Sequence, residues 1–316
     1  MKDFSHLEIA VLIPCYNEER TIDQVVSEFR RHLETATIYV YDNNTIDTTR
    51  AVAAAAGAVV RRELLQGKGH VVRRMFADID ADIYVLVDGD NTYDAASAPT
   101  LLSLLLENNL DMVNARRKSN SSGAYRPGHR LGNRVLTYLI GLFFGKTFED
   151  ILSGYRVFSR RFVKSFPAMS RRFEIETELT VHALELRMAV QEYTTPYYER
   201  PLGSESKLST YRDGLLILRT IAILVKEERP LLFFSSVFAI LVVVSIALAI
   251  PIVRTYLETG QVPRFPTAIL STGLMLLAFL SLTCGLVLDT VTRGRQEFKR
   301  LAYLSQPWLR PRIKRD

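Results

Sequence analysis

Two aspartates one residue apart, Asp88 and Asp90, close an apolar run with Gly89 between them. At that spacing both carboxylates can approach one divalent ion, and the glycine lets the backbone close in. Carboxylate oxygens suit Mg2+ or Mn2+. An ion held there would meet the negative charge that grows on a sugar diphosphate as its glycosyl bond breaks. Taken alone, an Asp-x-Asp is also a common turn cap. Its weight comes from three further polar clusters in the first third of the chain: Asn17-Glu18, Asp42-Asn43-Asn44, and Gln66-Gly67-Lys68-Gly69.

The surrounding pattern says how these clusters are held. Apolar strand-like runs at Glu8–Cys15, Thr37–Asp42, Ala58–Arg62 and Asp82–Asp88 alternate with helical segments. The first helix is predicted from a capping box at Thr21–Gln24 to about Leu33, the second is Ala-rich and ends at Gly57, and the third covers Val71–Asp80. Such alternation predicts an α/β domain with a mostly parallel sheet and helices on both faces. Ligands of such sheets bind beyond the carboxyl ends of the strands. Each of the four polar clusters follows a strand, which describes the rim of a pocket.

The C-terminal third changes character. Leu231–Val253 and Pro266–Leu288 contain no charged residue, and each is long enough to cross a hydrocarbon core of about 30 Å as a helix. Two membrane spans are predicted. The basic tail, with Arg293, Arg295, Lys299, Arg300, Arg310, Arg312, Lys314 and Arg315, predicts that both ends face the cytoplasm of a cell (inner) membrane. Met1 to Ser5 runs straight into a strand, so no signal peptide is expected. Before the first span, Arg212, Arg219 and Lys226 recur every seven residues on an otherwise apolar helical segment, as suits a membrane interface. The predicted organisation is a catalytic domain over 1–205, an interfacial amphipathic helix over 206–230, a two-helix anchor over 231–288 and a basic tail over 289–316.

The net charge of +6 sits beside these membrane segments, where anionic lipid is a nearer partner than nucleic acid. Nucleic-acid binding is not expected. Cys15 and Cys284, the only two cysteines, imply neither a disulfide nor a zinc site.

The stretches 12–22 (LIPCYNEERTI), 41–49 (YDNNTIDTT), 66–77 (QGKGHVVRRMFA), 87–94 (VDGDNTYD), 149–162 (EDILSGYRVFSRRF), 174–179 (EIETEL) and 200–208 (RPLGSESKL) together resemble the family 2 glycosyltransferases of GT-A fold. The resemblance is to the branch of dolichyl-phosphate mannose synthases and polyprenyl-phosphate glucosyltransferases. It covers most of residues 8–210. It implies that Pro14, Tyr16, Glu18 and Asp42 hold the base and ribose of a nucleotide-sugar donor. Lys68 would stand near the diphosphate or ribose, and Arg200 and Lys207 would clamp the diphosphate. Arg126, His129, Arg130, Asn133 and Arg134 correspond to the region that meets the acceptor lipid phosphate. Asp88 and Asp90 would hold the metal, and Asp150 is the candidate base or acceptor-orienting group.

What the resemblance implies is inverting transfer of a sugar from a nucleotide donor onto polyprenyl phosphate; UDP-hexose or UDP-N-acetylhexosamine is the expected donor, in preference to GDP-mannose. Two departures matter. The mannose synthases carry Asp-Ala-Asp followed by Gln, where this chain reads DGDNTYD, so the sugar stays open. The acceptor region also departs from the synthase pattern of an Arg followed by a Ser. Rival readings are transfer to a hydroxyl acceptor and an inactive nucleotide-sugar sensor. The oligomeric state, a homo-oligomer included, is left open.

Overall fold

The computed structural model describes residues 4–118, 148–169, 174–200 and 225–309, with positions 137, 138, 141, 145, 222 and 223 between them. The chain divides into two compact units, Met1–Leu218 with Lys299–Asp316, and Arg219–Phe298.

The first unit is built on strands β1 (Ile9–Cys15), β2 (Thr37–Asp42), β3 (Val59–Arg62), β4 (Ile83–Leu86), β5 (Met112–Lys118), β6 (Arg156–Ser159) and β7 (Val190–Pro196). They form one sheet in the order β3-β2-β1-β4-β6-β5-β7. β1 pairs in parallel with β2 and β4, β2 with β3, and β5 with β7, while β6 runs antiparallel to both of its neighbours. The central strands β1 and β4 are apolar along almost their whole length because helices cover both faces of the sheet.

Helix α1 (Ile22–His32) buries Ile22, Val25, Val26 and Phe29, the i, i+3, i+4, i+7 face expected of a surface helix. The predicted capping box does not form. Thr21 precedes the helix without a side-chain cap, and its hydroxyl donates instead to the Gly89 carbonyl at 2.7 Å. The hydroxyl that would cap α1 therefore ties its start to the Asp88-Gly89-Asp90 loop. α2 (Thr49–Ala55) lies where the Ala-rich segment predicts. α3 (Lys68–Asp78) begins three residues earlier than its apolar periodicity suggests. The reason is Gly67, whose φ of 133° only glycine adopts freely, and whose amide donates to Asn43 Oδ1 at 2.7 Å. Lys68 thereby sits on the first turn of a helix rather than in a loose loop.

After α4 (Ala98–Glu107), α5 (Arg160–Ser165) and α6 (Ile175–Glu185), residues 299–309 return to the same unit. Lys299 pairs with Glu185 at 2.7 Å. The Tyr303 hydroxyl donates to the buried Asp111 at 2.9 Å, beside the Arg161 guanidinium, and Trp308 Nε1 donates to the Leu110 carbonyl at 3.0 Å. Part of what reads in sequence as a solvated basic tail is thus a docked element, because its Tyr and Trp bring both apolar surface and a polar handle.

His182 on α6 is almost fully buried, edge-on to Phe162 and Phe166 at ring-centroid distances of 5.4 and 5.3 Å. Burial, with the nearby Lys299 charge, lowers its pKa to about 3. The folded state therefore holds this ring neutral, while the unfolded chain protonates it below about pH 6.5. The unfolded state binds the extra proton between these values, so stability is complete above about pH 6.5 and declines as pH falls, with a slope approaching about 1.4 kcal/mol per pH unit. His182→Phe should flatten that slope in denaturant titrations between pH 7 and pH 4. An unchanged slope would mean that His182 is solvated in solution.

The second unit contains α7 (Pro230–Thr259) and most of α8 (Phe265–Ser305), with mean hydropathies of 2.9 and 2.1 over their most apolar windows. Both are candidate membrane spans by length and composition, and almost none of either window is buried. Where the two helices touch, small and hydroxylated residues meet beside the Phe238–Phe279 ring pair, whose centroids are 5.5 Å apart. Ser245 Oγ donates to the Ser271 carbonyl at 2.7 Å, Ser281 Oγ donates to the Phe234 carbonyl at 3.2 Å, and a Cβ at Gly285 would meet that of Phe234 at 2.8 Å. Close backbone approach and hydroxyl bridges are the way helices associate without water to drive them.

Candidate active site

The polar clusters do converge at the carboxyl ends of β1 to β4. At three of these ends the chain turns through an asparagine in the left-handed region, Asn17 (φ 53°), Asn44 (φ 64°) and Asn91 (φ 58°). Asparagine tolerates that conformation better than most residues, which explains its recurrence in the clusters. Side chains then weld the loops together. Asn17 Oδ1 accepts from the Ile46 amide at 3.0 Å, and Asn43 Nδ2 donates to the carbonyls of Glu63 and Leu65 at 3.0 and 2.8 Å.

Asp42 ends β2 fully buried. Its Oδ1 accepts from the Thr45 amide at 2.8 Å, an Asx-type cap, whereas its buried Oδ2 has no hydrogen-bond partner among the described residues and lies 3.7 and 3.6 Å from the Arg50 and Arg62 guanidinium groups. One oxygen caps the turn and the other faces two guanidinium groups. Pro14 and Tyr16 flank the end of β1, both partly exposed. Glu18 accepts weakly from the Thr21 hydroxyl at 3.4 Å, and its amide donates to Thr49 Oγ1 at 2.8 Å.

The acidic pair is held by cations. Lys68 Nζ donates to Asp88 Oδ1 and also to Glu176 Oε1 on α6. Burial alone would lower the lysine's pKa, but the two carboxylates outweigh it and keep the ammonium charged. Burial pushes Glu176 upward, opposed by Lys68. Asp90 is buried. Its Oδ1 accepts from the Thr92 amide at 3.2 Å and hydroxyl at 2.6 Å, and its Oδ2 accepts from Arg200.

Gly154 completes the cradle. A Cβ there would lie 2.8 Å from the Asp88 carboxylate carbon, so a side chain at this position and Asp88 in its present place exclude each other. The loop that carries Gly154 is pinned by Arg156, one of the largest fully buried side chains, which donates to the carbonyls of Ile151 (2.7 Å) and Ser153 (3.0 Å) and to Thr180 Oγ1 (2.9 Å). Burial lowers the Arg156 pKa to about 10, still leaving it charged at neutral pH. Asp150, just upstream, is gripped by Arg117 through Nε at 2.7 Å and Nη2 at 2.8 Å, and by the Arg117 amide at 3.2 Å. Arg126, Arg130, Asn133, Arg134 and Lys207 lie outside the described residues, as does most of the segment 206–230.

The donor set fits a divalent ion of the hard, oxygen-seeking kind. Asp88 and Asp90 are two carboxylates on one loop beyond β4, and among the described residues no group of three or more His, Cys, Asp or Glu forms a ready-made metal cage. Mg2+ is commonly bound by one or two carboxylates, with substrate phosphates and water completing its shell.

A mostly parallel sheet thus carries an acidic pair at its strand ends, neutralised by Lys68 and Arg200. Residues 10–166 match the model of Glycosyl transferase family 2. Glycosyltransferase AglJ of Haloferax volcanii is 32% identical over 298 residues, covering 94% of this chain and 98% of the relative. The dolichyl-phosphate hexose transferase of the same organism is 26% identical over 229 residues, covering 72% and 99%. Glucosyl-3-phosphoglycerate synthase of Mycobacterium tuberculosis, solved with Mn2+ and UDP-glucose, superposes with a TM-score of 0.56 at 22% identity, over 70% of this chain and 78% of that one. The chain belongs to glycosyl transferase family 2.

Three contributors escaped sequence reasoning: Glu176, Gly154 and Arg117. Glu176 and Gly154 lie in motifs that were legible, but their partners are 108 and 66 positions away (154 − 88 for the latter), a pairing that spacing does not reveal.

Proposed function

We propose that this enzyme transfers a hexosyl or N-acetylhexosaminyl group from a UDP-sugar to the phosphate of a polyprenyl phosphate, with inversion, at the cytoplasmic face of the cell membrane. The observation that carries the reading is the Asp88–Asp90 pair of a family 2 domain in a chain whose next helices are two candidate membrane spans. The relative named for dolichyl phosphate supports the acceptor class.

In this reading Asp42 Oδ2 accepts the ring N–H of the base, with Pro14, Tyr16 and Glu18 around the nucleoside. Asp88 and Asp90 hold Mg2+ or Mn2+, which supplies Lewis-acid stabilisation of the departing diphosphate. Lys68, Arg200 and Lys207 add cations on the same side, and arginine suits bidentate phosphate contact. Arg126, Arg130, Asn133 and Arg134 receive the lipid phosphate, with the segment 206–230 lying at the membrane interface. An acceptor phosphate oxygen attacks the anomeric carbon as the bond to the diphosphate oxygen breaks, and the electron pair leaves with the UDP.

No proton has to be removed. A phosphate monoester has its second pKa near 6, so its oxygen is already anionic at neutral pH. Asp150, already neutralised by Arg117, serves as a positioning residue for the acceptor side. Asp150→Asn should retain measurable turnover, with a pH-rate profile still governed by ionisation near pH 6. Complete inactivity in a folded, donor-binding variant would make Asp150 a true base.

The reading is tested by UDP release from a panel of nucleotide sugars with detergent-solubilised enzyme. Release should require polyprenyl phosphate and should not occur with polyprenol. Equal release with the alcohol would favour a hydroxyl acceptor, and no turnover with any donor would favour a sensor.

A further inference from the structure

The segment 174–179 matches the family, yet the roles assigned above leave it unused. Its Glu176 is buried in the first turn of α6. One oxygen takes the Lys68 ammonium, and the other, Oε2, is buried with no hydrogen-bond partner among the described residues. Lys68 therefore bridges two unlike carboxylates: Asp88, assigned to the metal, and Glu176, which has no other assignment.

The two cations that neutralise the acidic pair are differently placed. The Arg200 side chain is 29% exposed, so water can take over when Asp90 turns to another partner. That of Lys68 is only 8% exposed. A buried ammonium stripped of its counter-ion is strongly unfavourable. If Asp88 turned to a divalent ion and nothing else held Lys68, the lysine would be stranded beside a second cation. The carboxylate that prevents this is already in contact with it.

We propose that Glu176 is a positioning residue that retains Lys68 while Asp88 passes from the lysine to the divalent ion, so that the metal site assembles without leaving a buried cation unpaired. This rests on the assignment of Asp88 to the metal. Lys68 acts as the ion's stand-in when the metal is absent and as a fixed cation beside the donor when it is present. Glu176 never needs to touch metal or substrate.

The test is Mn2+ binding to the full-length protein in detergent, read by electron paramagnetic resonance with and without UDP, in a double-mutant cycle. Glu176→Gln should weaken Mn2+ binding roughly tenfold or more, the order expected when a buried charge loses its hydrogen-bonded partner. Lys68→Met should tighten Mn2+ binding several-fold, since Asp88 then has no lysine to give up. In the Lys68→Met background, Glu176→Gln should change Mn2+ affinity by less than twofold. Equal weakening in both backgrounds would show a merely structural Glu176 and overturn the proposal, as would Lys68→Met binding Mn2+ no more tightly than wild type. Should Glu176→Gln fail to fold, the two Lys68→Met proteins carry the decision alone. If wild type binds no Mn2+ even with UDP, the metal assignment itself falls, and this proposal with it.

Discussion

Asp90→Asn should lower kcat by roughly 10² to 10³, the range seen when a group that stabilises developing charge is removed. The substitution is mild for the fold. The amide oxygen can still accept from Thr92, so the loop stays capped. What disappears is the negative charge that now balances Arg200 and that would hold the ion at the leaving diphosphate. Because the ion meets charge that grows as the bond breaks, the loss should fall mainly on kcat and only modestly on the KM of the acceptor. Steady-state kinetics with saturating Mn2+, and calorimetric titration of UDP with and without the metal, would separate the two. A variant that keeps wild-type kcat would remove the ion from the reaction.

Gly154→Ala should be nearly as damaging, although Gly154 carries no functional group. Its added methyl would stand 2.8 Å from the Asp88 carboxylate carbon. The loop that carries Gly154 has little room to yield. The Gly154 amide donates to the Tyr93 hydroxyl at 2.8 Å, Ser153 Oγ donates to the Ala115 carbonyl at 2.6 Å, and Arg156 holds the carbonyls on either side of Leu152. Asp88 must therefore swing away from Lys68 and from the metal position. A fall in kcat of about 10² or more is expected, with a stability loss of about 1–3 kcal/mol from overpacking. Thermal melts and Mn2+ titration of the same preparation would check both. Normal metal affinity and turnover in Gly154→Ala would mean that the loop relaxes freely.

Much of this site is local in sequence, and those parts were legible. Strand ends, Asn-rich turns and the Asp-x-Asp are contiguous patterns set by backbone chemistry, so the sequence alone puts Asp42, Asp88 and Asp90 at strand ends and Lys68 in the turn that follows β3. The β1 to β4 alternation gave the parallel half of the sheet directly. The rest depends on tertiary pairing. β6 returns antiparallel between β4 and β5, and nothing in its four residues announces that direction. Thr21 shows the same limit on a smaller scale: its sequence fits a capping box, but a carbonyl 68 positions away competes for the hydroxyl and wins. The docking of Tyr303 and Trp308 was hidden for the opposite reason, since the arginines around them dominate the reading of the tail.

If the acceptor atom is a lipid phosphate oxygen, as proposed, the mass and chemistry of the lipid product will show it. Full-length enzyme with polyprenyl phosphate, Mg2+ or Mn2+ and the preferred nucleotide sugar should yield one lipid species carrying one phosphorus and one added sugar. Mild acid should return free sugar and polyprenyl phosphate, because a glycosyl phosphate is an acid-labile anomeric ester. A product in which the sugar survives mild acid, or in which it is attached to a hydroxyl of lipid or glycan, would rule out a phosphate acceptor.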